Sequence, residues 1–470
     1  MYPKIGAIVM TIQEFKNSVR DKKIAVVGIG VSNLPLVRML ADCGARLCVH
    51  DKRTKDALGE VYDELKGLNV QMVLGEEYLD KISENTYMVF KTPGIRYDVP
   101  ALLDAAEKGA IITSEMELFF ETCPTKIIAV TGSDGKTTTT SLIHDMLSRA
   151  GYTCHLGGNI GHPLVAEVEN MNKDDISVVE LSSFQLHTMK KSADIAVITN
   201  VTPNHLDWHT DFEEYANSKR AVFEYQKADG RVVLNFENDI TRGFGEGKNG
   251  AVYFSSKSSL ENGYCLKDNK IVKYENGQIK REILDIDTIY IPGMHNVENY
   301  MAAIGATEGL VSDEIIRETA VGFTGVPHRI EFVREYKGVK YYNDSIASSP
   351  ARTTAGLVSF GGKKVILIAG GYDKKIPFDD FGEVVNDYAE KLVLVGATSE
   401  KIYSAVTSAK NYADLPIYKC NDFKEAVEKA RDVARPGDIV ILSPACASFD
   451  LFKNFEIRGN CFKEIVKNFN

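Results

Sequence analysis

The sequence lacks long hydrophobic runs, and its 470 residues lack any cluster of cysteines. No stretch reaches the roughly 18 consecutive apolar residues that a membrane-spanning helix requires, so no membrane span is predicted. The N-terminus has neither a basic start nor a long apolar core, which disfavours a signal peptide. The eight cysteines show no spacing typical of a metal knuckle or a disulfide framework, and they stand at positions 43, 48, 123, 154, 265, 420, 446 and 461. We therefore expect reduced thiols in a cytoplasmic protein.

The sequence also lacks an excess of positive charge. Lysine and arginine contribute 55 residues against 65 aspartates and glutamates, which gives a formal net charge of −10. This balance disfavours nucleic acid or an anionic membrane surface as the main partner, but it permits a local basic pocket for an anionic small molecule. The length is too great for a single hydrophobic core, so about two to four domains are expected.

The first segment has the outline of a mononucleotide-binding βαβ unit. A buried strand at Ile24–Val27 leads into the turn GIGVSN, a helix over about 34–43, and a second strand at Arg46–His50. Asn33 replaces the third glycine of the G-x-G-x-x-G fingerprint, whereas Asp51 stands where such units often bind a ribose hydroxyl. These residues fit a nucleotide site and a tight strand-to-helix turn without a ligand about equally well.

Strands and helices alternate along the rest of the chain, which predicts α/β domains with parallel sheets. The second segment is predicted to have strands at Ile127–Thr131, Ile176–Leu181 and Ile195–Asn200, helices at Thr137–Ala150 and Val297–Thr307, and antiparallel hairpins between about 240 and 290. The third segment begins near GVPHRIEF and is predicted to have strands at Val339–Asn343, Lys364–Ala369, Lys391–Val395 and Ile439–Ser443. This spacing predicts a second doubly wound domain.

The stretch AVTGSDGKTT, residues 129–138, is a shortened variant of a phosphate-binding loop. The usual pattern G-x-x-x-x-G-K-[ST] would place glycine at Val130. A strand precedes the stretch and a helix follows it, which is the context that such a loop needs. Backbone N–H groups around Gly132 and Gly135 can then face phosphate oxygens at a helix N-terminus. Lys136 can reach the terminal phosphates, and the Thr137 hydroxyl can bind Mg²⁺.

Two further motifs place metal-binding side chains after predicted strands. Glu180, in VVELSSFQL, ends a β-branched strand, where an unpaired buried carboxylate would be costly; a metal or lysine partner is favoured over an N-cap or a surface charge. The stretch NVTPNHLDWH carries His205, Asp207 and His209 after the next strand. It is weak evidence for zinc, because no third or fourth ligand is spaced correctly, and it fits a Mg²⁺-nucleotide site better.

With these residues in view, the chain resembles the Mur ligases over nearly its whole length. The resemblance rests on TGSDGKTTT together with GGNIG, VVELSSFQL, NVTPNHLDWH, PGMHNVEN, GVPHRIE, YNDSIASSP and LSPACASFDLFKNFEIRG. The last motif points to the D-glutamate-adding branch of the family. The resemblance implies an α/β protein of three domains: an N-terminal Rossmann-like UDP-binding domain at 1–114, a central P-loop-type ATPase domain at 115–325, and a C-terminal Rossmann-like D-glutamate-binding domain at 326–470.

The resemblance implies an ATP site with two Mg²⁺ ions. Thr137 and Glu180 would hold one ion, and His205 would hold the second, bridged by a carbamylated Lys219. Lys136, His205 and Lys219 would be the catalytic residues. A carbamate requires a neutral, desolvated amine, whereas the sequence alone favours an ordinary surface lysine at 219. The residues implied to contact ATP are Gly132, Ser133, Asp134, Gly135, Lys136, Thr137, Thr138, Asn296, Arg329 and Asp344.

The resemblance also implies the sites of the two other substrates. Lys374, Ser448 and Phe455 would bind D-glutamate; the alternatives for Ser448 and Phe455 are a helix-capping hydroxyl and a core aromatic. Ile346 departs from the family, which has lysine there, and Lys375 competes with Lys374 for the carboxylate. Asn33 and Asp134 also replace a glycine and an asparagine of the family. The residues implied to contact the nucleotide-sugar are Val31, Ser32, Asp51, Arg53, Gly94 and Asn159.

The implied activity is a two-step ligation in the cytoplasm, as part of peptidoglycan precursor synthesis. The alanyl carboxylate of UDP-N-acetylmuramoyl-L-alanine attacks the γ-phosphate of ATP, and the amine of D-glutamate then attacks the acyl phosphate. We expect a monomer with no nucleic-acid partner. Two alternatives stay open: another ligase of the superfamily, such as a folylpolyglutamate synthase or a sibling Mur ligase, and a UDP-sugar-binding sensor without turnover, which only Ile346 favours.

Overall fold

Three β-sheets organise the chain, which confirms the predicted α/β class. The computed structural model describes residues 10–30, 33–68, 70–80, 82, 85–374 and 376–470. It divides into two compact units, Met1–Gly322 and Phe323–Asn470. The first unit contains two of the sheets and the second unit contains the third. The predicted domain boundary at 325 lies close to this division, and the boundary at 114 falls inside the first unit.

The first sheet is five-stranded and fully parallel, in the order β3-β2-β1-β4-β5. Its central strand is buried except at its first residue, as expected of a parallel sheet covered on both faces. Its strands are β1 (Lys23–Val27), β2 (Arg46–Asp51), β3 (Gln71–Leu74), β4 (Met88–Lys91) and β5 (Ile111–Thr113). The helices of this segment are α1 (Ile12–Val19), α2 (Asn33–Asp42), α3 (Lys55–Leu58), α4 (Glu60–Gly67), α5 (Pro100–Glu107) and α6 (Glu115–Thr122).

The second sheet has nine strands in the order β14-β13-β12-β11-β10-β9-β6-β8-β7. Its strands are β6 (Lys126–Thr131), β7 (Cys154–Gly158), β8 (Ile176–Glu180), β9 (Ile195–Ile198), β10 (Arg231–Asn235), β11 (Ala251–Ser255), β12 (Gly263–Lys267), β13 (Lys270–Glu275) and β14 (Gln278–Asp285). The helices that accompany it are α7 (Lys136–Arg149), α8 (Ser183–Leu186), α9 (Phe212–Glu224), α10 (Asp239–Phe244), α11 (Met294–Thr307) and α12 (Asp313–Gly322).

The region between 240 and 290 follows the prediction only in part. Strands β12, β13 and β14 form the expected antiparallel meander. However, β11 joins β12 in parallel, and α10 lies where no helix was predicted. Asn238 caps α10 by accepting a hydrogen bond from the Thr241 amide at 3.1 Å, a short local signal inside a polar stretch. The outer strand β14 carries the exposed run Gln278–Lys280, followed by Arg281 and Glu282.

The third sheet has six strands in the order β15-β16-β20-β17-β18-β19, parallel except for the β15–β16 pair. It confirms the predicted second doubly wound domain. Its strands are β15 (Glu331–Tyr336), β16 (Val339–Asn343), β17 (Val365–Ala369), β18 (Ala389–Leu394), β19 (Ile417–Lys419) and β20 (Ile439–Leu442). Its helices are α13 (Pro350–Val358), α14 (Asp379–Tyr388), α15 (Ser399–Ser408), α16 (Phe423–Val433) and α17 (Phe455–Lys467).

The predicted elements are present, with shifted ends where the chain turns into a loop. Strand β8 stops at Glu180, although the Leu181 amide still donates to the Val130 carbonyl at 2.8 Å. Strand β9 stops at Ile198, because Asn200 turns away from the ladder toward the phosphate loop. Helix α11 begins three residues before the prediction, after Gly293 at φ +102°.

Two findings concern the features that the sequence lacks. All eight cysteines lie in the described part of the chain and are free thiols. Among the described residues, no helix is both long enough and apolar enough to cross a membrane.

Candidate functional site

The two glycines of the phosphate loop are required by its geometry. Gly132 has φ +149°, and a Cβ there would lie 2.0 Å from Thr199 Oγ1. Gly135 has φ +78°, and a Cβ would lie 2.4 Å from Asn299 Oδ1. Val130, where the longer pattern has glycine, is a buried residue of β6. The loop therefore begins later than in the usual pattern, and valine is tolerated because strand β6 continues through position 130.

The residues that follow β9 hold the phosphate loop. The Ser133 amide donates to the Asn200 carbonyl and the Asp134 amide to Asn200 Oδ1, both at 2.9 Å. The Ser133 hydroxyl lies 2.8 Å from the Tyr215 hydroxyl. Helix α7 starts directly after Gly135, and no described side chain caps it. The start of the helix, at the positive end of its dipole, therefore suits the binding of an anion.

Two lysine side chains converge on the carbonyl oxygen of Gly132. Lys136 Nζ donates to it at 3.0 Å and to the Ser133 carbonyl at 2.8 Å. Lys219 Nζ, from α9, donates to the Gly132 oxygen at 3.1 Å and lies 4.4 Å from the centre of the Tyr215 ring.

Lys219 is almost completely buried, so its interpretation as a surface lysine is wrong. Burial, assisted by the positive charge of Lys136 and opposed by Asp134, holds the pKa of Lys219 well below its usual range. The side chain is therefore poised to be a neutral amine.

Glu180 is a buried carboxylate at the end of β8, and its interpretation as a surface charge is wrong. Its Oε1 accepts a hydrogen bond from Asn159 Nδ2 at 2.7 Å. Its Oε2 is buried and has no hydrogen-bond partner among the described residues. Val130 pairs with Glu180 across β6 and β8, so this carboxylate ends beside the phosphate loop that contains Thr137. A buried carboxylate oxygen without a partner fits a hard cation such as Mg²⁺.

The three residues of the H-x-D-x-H stretch differ in their surroundings. His205 is exposed, has φ +54°, and packs its ring 4.8 Å from that of Phe184. Asp207 is exposed as well. His209 is buried, and its Nε2 lies 3.0 Å from Ser183 Oγ. His205 is therefore exposed in an unusual backbone conformation, while His209 belongs to a separate cluster.

The separate cluster consists of His187, His209 and Glu214, whose ligand atoms lie within 4.8 Å of one another. Such a group can hold a metal, but both Glu214 oxygens already accept hydrogen bonds from the Arg96 guanidinium, at 2.9 and 3.0 Å. Those hydrogen bonds hold the pKa of Glu214 well below its usual range, against the effect of burial. Burial lowers the pKa of His209 to about 4. A guanidinium therefore supplies the positive charge that a metal ion would bring.

Sequence reasoning missed the partners of this cluster. Arg96 and Glu214 are separated by 118 residues, and neither belongs to a motif. Trp208 lies within the motif NVTPNHLDWH, but the sequence predicts no role for it. Its indole Nε1 donates to the Gly94 carbonyl at 2.9 Å. Gly94, which is predicted to contact the nucleotide-sugar, is thus hydrogen-bonded to the segment that contains His205.

The start of α11 is linked to the phosphate loop through two asparagines. Asn296 Nδ2 donates to the Pro292 carbonyl at 2.7 Å, and Asn296 Oδ1 accepts from Asn299 Nδ2 at 3.2 Å. Asn299 Oδ1 in turn accepts from the Thr139 hydroxyl, also at 3.2 Å. Thr138 is half-buried on the first turn of α7. The predicted ATP contact Asn296 is therefore linked to the first turns of α7 through Asn299, which sequence reasoning missed.

Asp51 ends β2 in a network made by its own chain. Its carboxylate accepts from the Ile29 amide at 2.7 Å and from the Arg53 amide and guanidinium at 2.9 Å. Burial opposes ionisation of Asp51, but the hydrogen bonds from Arg53 and the Ile29 amide outweigh it and lower the pKa. Val31 and Ser32 lie outside the described residues. The roles of Asp51 and Arg53 toward a nucleotide stay predictions.

The second compact unit places Asp344 and Arg329 near one end of its sheet. Asp344 is buried and accepts from the Ser443 hydroxyl at 2.7 Å and from the Ile330 amide at 3.3 Å. Burial raises the pKa of Asp344 to about 7, although these hydrogen bonds and the charge of Arg329 oppose the rise. Arg329 is exposed at the start of the unit.

Two of the predicted D-glutamate residues, Lys374 and Ser448, lie on loops that follow strands of this unit, and the third, Phe455, begins α17. Lys374 Nζ donates to the carbonyl and hydroxyl of Ser348, both at 3.2 Å. Ser448 is buried, and Asn454 caps α17 instead, so the helix-cap alternative for Ser448 is wrong for this helix. Phe455 is half-buried at the start of α17, with its ring 5.9 Å from that of His328. Lys375 lies outside the described residues.

A buried arginine joins these loops; it lies within the motif LSPACASFDLFKNFEIRG, but sequence reasoning assigned it no role. Arg458 donates to the carbonyl oxygens of Ser345, Cys446 and Ala447 at 2.8 to 3.1 Å, and to the Ser345 hydroxyl at 3.0 Å. It thus ties the loop after β16, which contains Ile346, to the loop after β20. Burial lowers the pKa of Arg458 to about 10, which still leaves the guanidinium charged at neutral pH.

Comparison with known proteins agrees with this arrangement. Three family models match the chain: the Mur ligase MurD-like N-terminal domain at residues 22–114, the Mur ligase middle domain at 130–307, and the Mur ligase glutamate ligase domain at 328–446. The chain belongs to the Mur ligase family.

Within the family, the chain is similar to curated proteins named UDP-N-acetylmuramoylalanine–D-glutamate ligase. The protein from Acetivibrio thermocellus is 53% identical, covering 97% of this chain and 98% of its own length. The protein from Clostridium novyi is 50% identical, covering 97% and 99%. These matches span essentially the whole of each chain.

Solved structures of more distant members share the fold. UDP-N-acetylmuramate–alanine ligase MurC from Thermotoga maritima has a TM-score of 0.55 at 19% identity, covering 95% of this chain and 99% of its own. MurF ligase from the same organism, in complex with ADP, has a TM-score of 0.53 at 17% identity, covering 96% of each chain. At this identity the likeness concerns the fold alone.

Proposed function

We infer that this chain is an ATP-dependent ligase that joins D-glutamate to UDP-N-acetylmuramoyl-L-alanine. The observation that carries this inference is the 53% identity over 97% of the chain to a protein named for that reaction. The phosphate loop, its two lysines and the partnerless oxygen of Glu180 supply the chemistry that a phosphoryl transfer needs.

The first step forms an acyl phosphate from ATP and the alanyl carboxylate. The N–H groups at the start of α7 would hold the phosphates, and Lys136 would exchange its carbonyl contacts for the β- and γ-phosphates. Thr137 and Glu180 would hold one Mg²⁺, and His205 with a carbamylated Lys219 the second. Bound Mg²⁺ neutralises the charge that develops on the transferred phosphoryl group.

The second step requires D-glutamate on the residues of the second unit. Lys374 would be the cation for one of its carboxylates, because its amine donates to neutral oxygens of Ser348, at 3.2 Å, which a carboxylate could replace. Ser448 and Phe455 would complete the pocket. The amine of D-glutamate then attacks the acyl carbonyl, phosphate leaves, and an amide bond remains.

The remaining features of this proposal follow from the same assignment. The N-terminal domain at 1–114 would take the uridine nucleotide, the central domain at 115–325 ATP, and the C-terminal domain at 326–470 D-glutamate. Val31, Ser32, Asp51, Arg53, Gly94 and Asn159 would contact the nucleotide-sugar, and Asn296, Arg329 and Asp344 would contact ATP. The reaction would run in the cytoplasm, in a monomer, as a step of peptidoglycan precursor synthesis.

The test is ADP release from Mg²⁺-ATP and UDP-N-acetylmuramoyl-L-alanine with D-glutamate, L-glutamate, L-lysine or no amino acid. We expect turnover with D-glutamate alone, and loss of turnover in Lys136→Ala. Turnover with another amine would place the chain in a sibling branch. Binding of the nucleotide-sugar without turnover on any amine would contradict the ligase proposal and favour a sensor.

A further inference from the structure

Arg96 joins two segments of the first unit that the sequence keeps far apart. It lies two residues after Gly94, in the loop that follows β4. Its guanidinium donates to the two oxygens of Glu214 at 2.9 and 3.0 Å and to the Trp208 carbonyl at 3.1 Å. It also contacts Asp98, with Nε donating at 2.9 Å. The Arg96 side chain is only 19% exposed and that of Glu214 only 23%, so water screens this pair less than a surface pair.

Trp208 donates a hydrogen bond between the same two segments in the opposite direction. Its indole Nε1 donates to the Gly94 carbonyl at 2.9 Å, and its ring lies 5.0 Å below the Arg96 guanidinium. Phe184 packs against Trp208 and against His205, with ring centres 4.8 Å away in both cases. The loop that contains Gly94 and the segment that contains His205 therefore hold each other through hydrogen bonds in both directions.

Glu214 connects the contacts of Arg96 to helix α9. It lies in the first turn, where its amide donates to the capping Asp211 carboxylate at 2.7 Å. Tyr215, the next residue, places its hydroxyl 2.8 Å from Ser133 of the phosphate loop. Lys219 lies five residues after Glu214 on the same helix and contacts the Gly132 carbonyl. A helix is stiff over such a distance, so a shift of its first turn moves Tyr215 and Lys219 with it.

A metal ion is the main alternative for this cluster, and the guanidinium argues against it. Both Glu214 oxygens are already engaged by Arg96, and Oε2 also accepts from the Thr210 amide at 2.8 Å. A cation placed between His187 and His209 would lie against a positive charge. The contacts instead lead from the loop of Gly94 to the helix of Lys219.

We propose that Arg96 is a positioning residue that couples the nucleotide-sugar loop at Gly94 to the helix that presents Lys219. Occupation of the loop by the uridine nucleotide and the arrangement of the phosphate-loop lysines then depend on one another. This inference rests on the proposed function, because it takes Gly94 and Lys219 as parts of the two sites that the reaction connects.

Trp208 allows a test that does not require turnover, since it is the single tryptophan of the chain. UDP alone is titrated into the full-length protein, and tryptophan emission is recorded. We expect a saturable change in the wild type and an apparent UDP affinity about tenfold weaker in Arg96→Gln, the size expected for losing one charge-assisted pair. The UDP affinity of Arg96→Lys, which keeps the charge but not the forked geometry, should lie between those of the wild type and Arg96→Gln.

Kinetics then separate positioning from simple loss of structure. In Arg96→Gln, we expect the KM for UDP-N-acetylmuramoyl-L-alanine to rise and kcat to fall, each by about tenfold, with the KM for ATP within about twofold. Glu214→Gln should behave similarly, and the double variant should be no worse than the worse single variant. The matched control is Arg38→Gln, which removes an exposed arginine–glutamate pair to Glu64 and should change none of these values.

Each contrary result decides against the coupling. Unchanged UDP affinity and kcat in Arg96→Gln would overturn it, as would additive losses in the double variant or equal losses in Arg38→Gln. A wild type whose emission does not respond to UDP would overturn it as well. A wild type that binds UDP yet turns over no amine would contradict the proposed function, while the comparison of UDP affinities would still decide the coupling.

Discussion

Lys136 and Lys219 donate hydrogen bonds to the same oxygen, the carbonyl of Gly132, at 3.0 and 3.1 Å. Two ammonium groups at one acceptor repel each other, and the repulsion is strong where one of them is buried. The arrangement is favourable only if one amine is neutral, and burial selects Lys219 for that state. Lys136, which is half-buried, would keep its charge for phosphate, and the neutral amine of Lys219 would be a nucleophile toward carbon dioxide.

Replacing Lys219 should therefore abolish activity even when the charge is retained. Lys219→Arg stays protonated and cannot form a carbamate, so we expect ADP release to fall by about 10²–10³-fold or more. With ¹³C-labelled bicarbonate, the wild type should show a carbamate signal in ¹³C NMR that Lys219→Arg lacks. Full activity of Lys219→Arg would refute the assignment. Lys227→Arg, on the loop after α9, serves as the control.

Glu180→Gln should change the dependence of the reaction on Mg²⁺. The substitution keeps Oε1 for Asn159 but removes the negative charge of the partnerless oxygen. We expect kcat to fall by on the order of 10²-fold and the Mg²⁺ concentration for half-maximal activity to rise. ADP release measured over a range of Mg²⁺ concentrations checks both. An unaltered Mg²⁺ dependence would mean that Glu180 is not a ligand.

Gly135→Ala should disrupt the phosphate loop, whereas Gly243→Ala should not. Gly135 has φ +78° and its Cβ would collide with Asn299, so we expect an unfolding free energy lower by about 2 kcal/mol and a higher KM for ATP. Gly243 lies within α10 with open space around its missing Cβ. Its replacement should leave stability unchanged or raise it by up to about 1 kcal/mol. Urea denaturation of the two variants gives the comparison.

Lys374→Met should weaken the binding of D-glutamate selectively. Removal of the cation that pairs with a carboxylate should raise the KM for D-glutamate by about tenfold to a hundredfold, with the KM for ATP unchanged. Lys419→Met removes a cation from the same unit that pairs with Glu400 at 2.8 Å, and it should alter neither value. Equal effects on both KM values in Lys374→Met would argue for a role outside the amino-acid pocket.

Glu115→Gln should stabilise the protein, increasingly as the pH rises. Glu115 is buried at the start of α6, where burial raises its pKa to about 7 and only the Val165 amide, at 3.3 Å, opposes the rise. Because the pKa is higher in the folded protein, the contribution of Glu115 to the free energy of unfolding is fully present below the unfolded pKa of about 4.5. It is lost as the pH rises through about 7. Glutamine keeps the acceptor oxygen without the charge.

The expected gain for Glu115→Gln is up to about 3 kcal/mol above pH 7, falling to nothing near pH 4.5. Urea denaturation at several pH values between these limits measures it. The exposed Glu77→Gln is the control and should show no such trend. A gain that does not depend on pH would show that the pKa of Glu115 is the same in the folded and the unfolded protein.

The parts that the sequence predicts well are those with local signals. The strand, the glycines and the helix around Lys136 lie within the 24 residues 126–149, so pattern and propensity suffice to place the phosphate loop. The position of Glu180 at the carboxyl end of a strand is predictable because parallel strands align their carboxyl ends. The β-branched runs of the third sheet likewise define its strands, and only their ends shift.

The parts that the sequence does not reveal depend on contacts between distant residues. The burial of Lys219 comes from the phosphate loop 87 residues earlier in the chain, and a lysine in a polar helix gives no hint of it. Arg458 has no acidic partner that a charge pattern could suggest, since its guanidinium donates to carbonyl oxygens and a hydroxyl. The polar stretch before β11 concealed α10, because a single asparagine cap was its main signal.

Strand β14 closes the nine-stranded sheet on one side, and its composition has a consequence for how copies of the chain meet. An open edge can take up a strand of another molecule. Here the exposed run that ends at Lys280, with Arg281 and Glu282 after it, would have to lose its hydration in such a pairing. Irregular register between β13 and β14 bends the edge further away from a flat template. This side of the sheet therefore resists edge-to-edge strand pairing between molecules, even in a crowded solution.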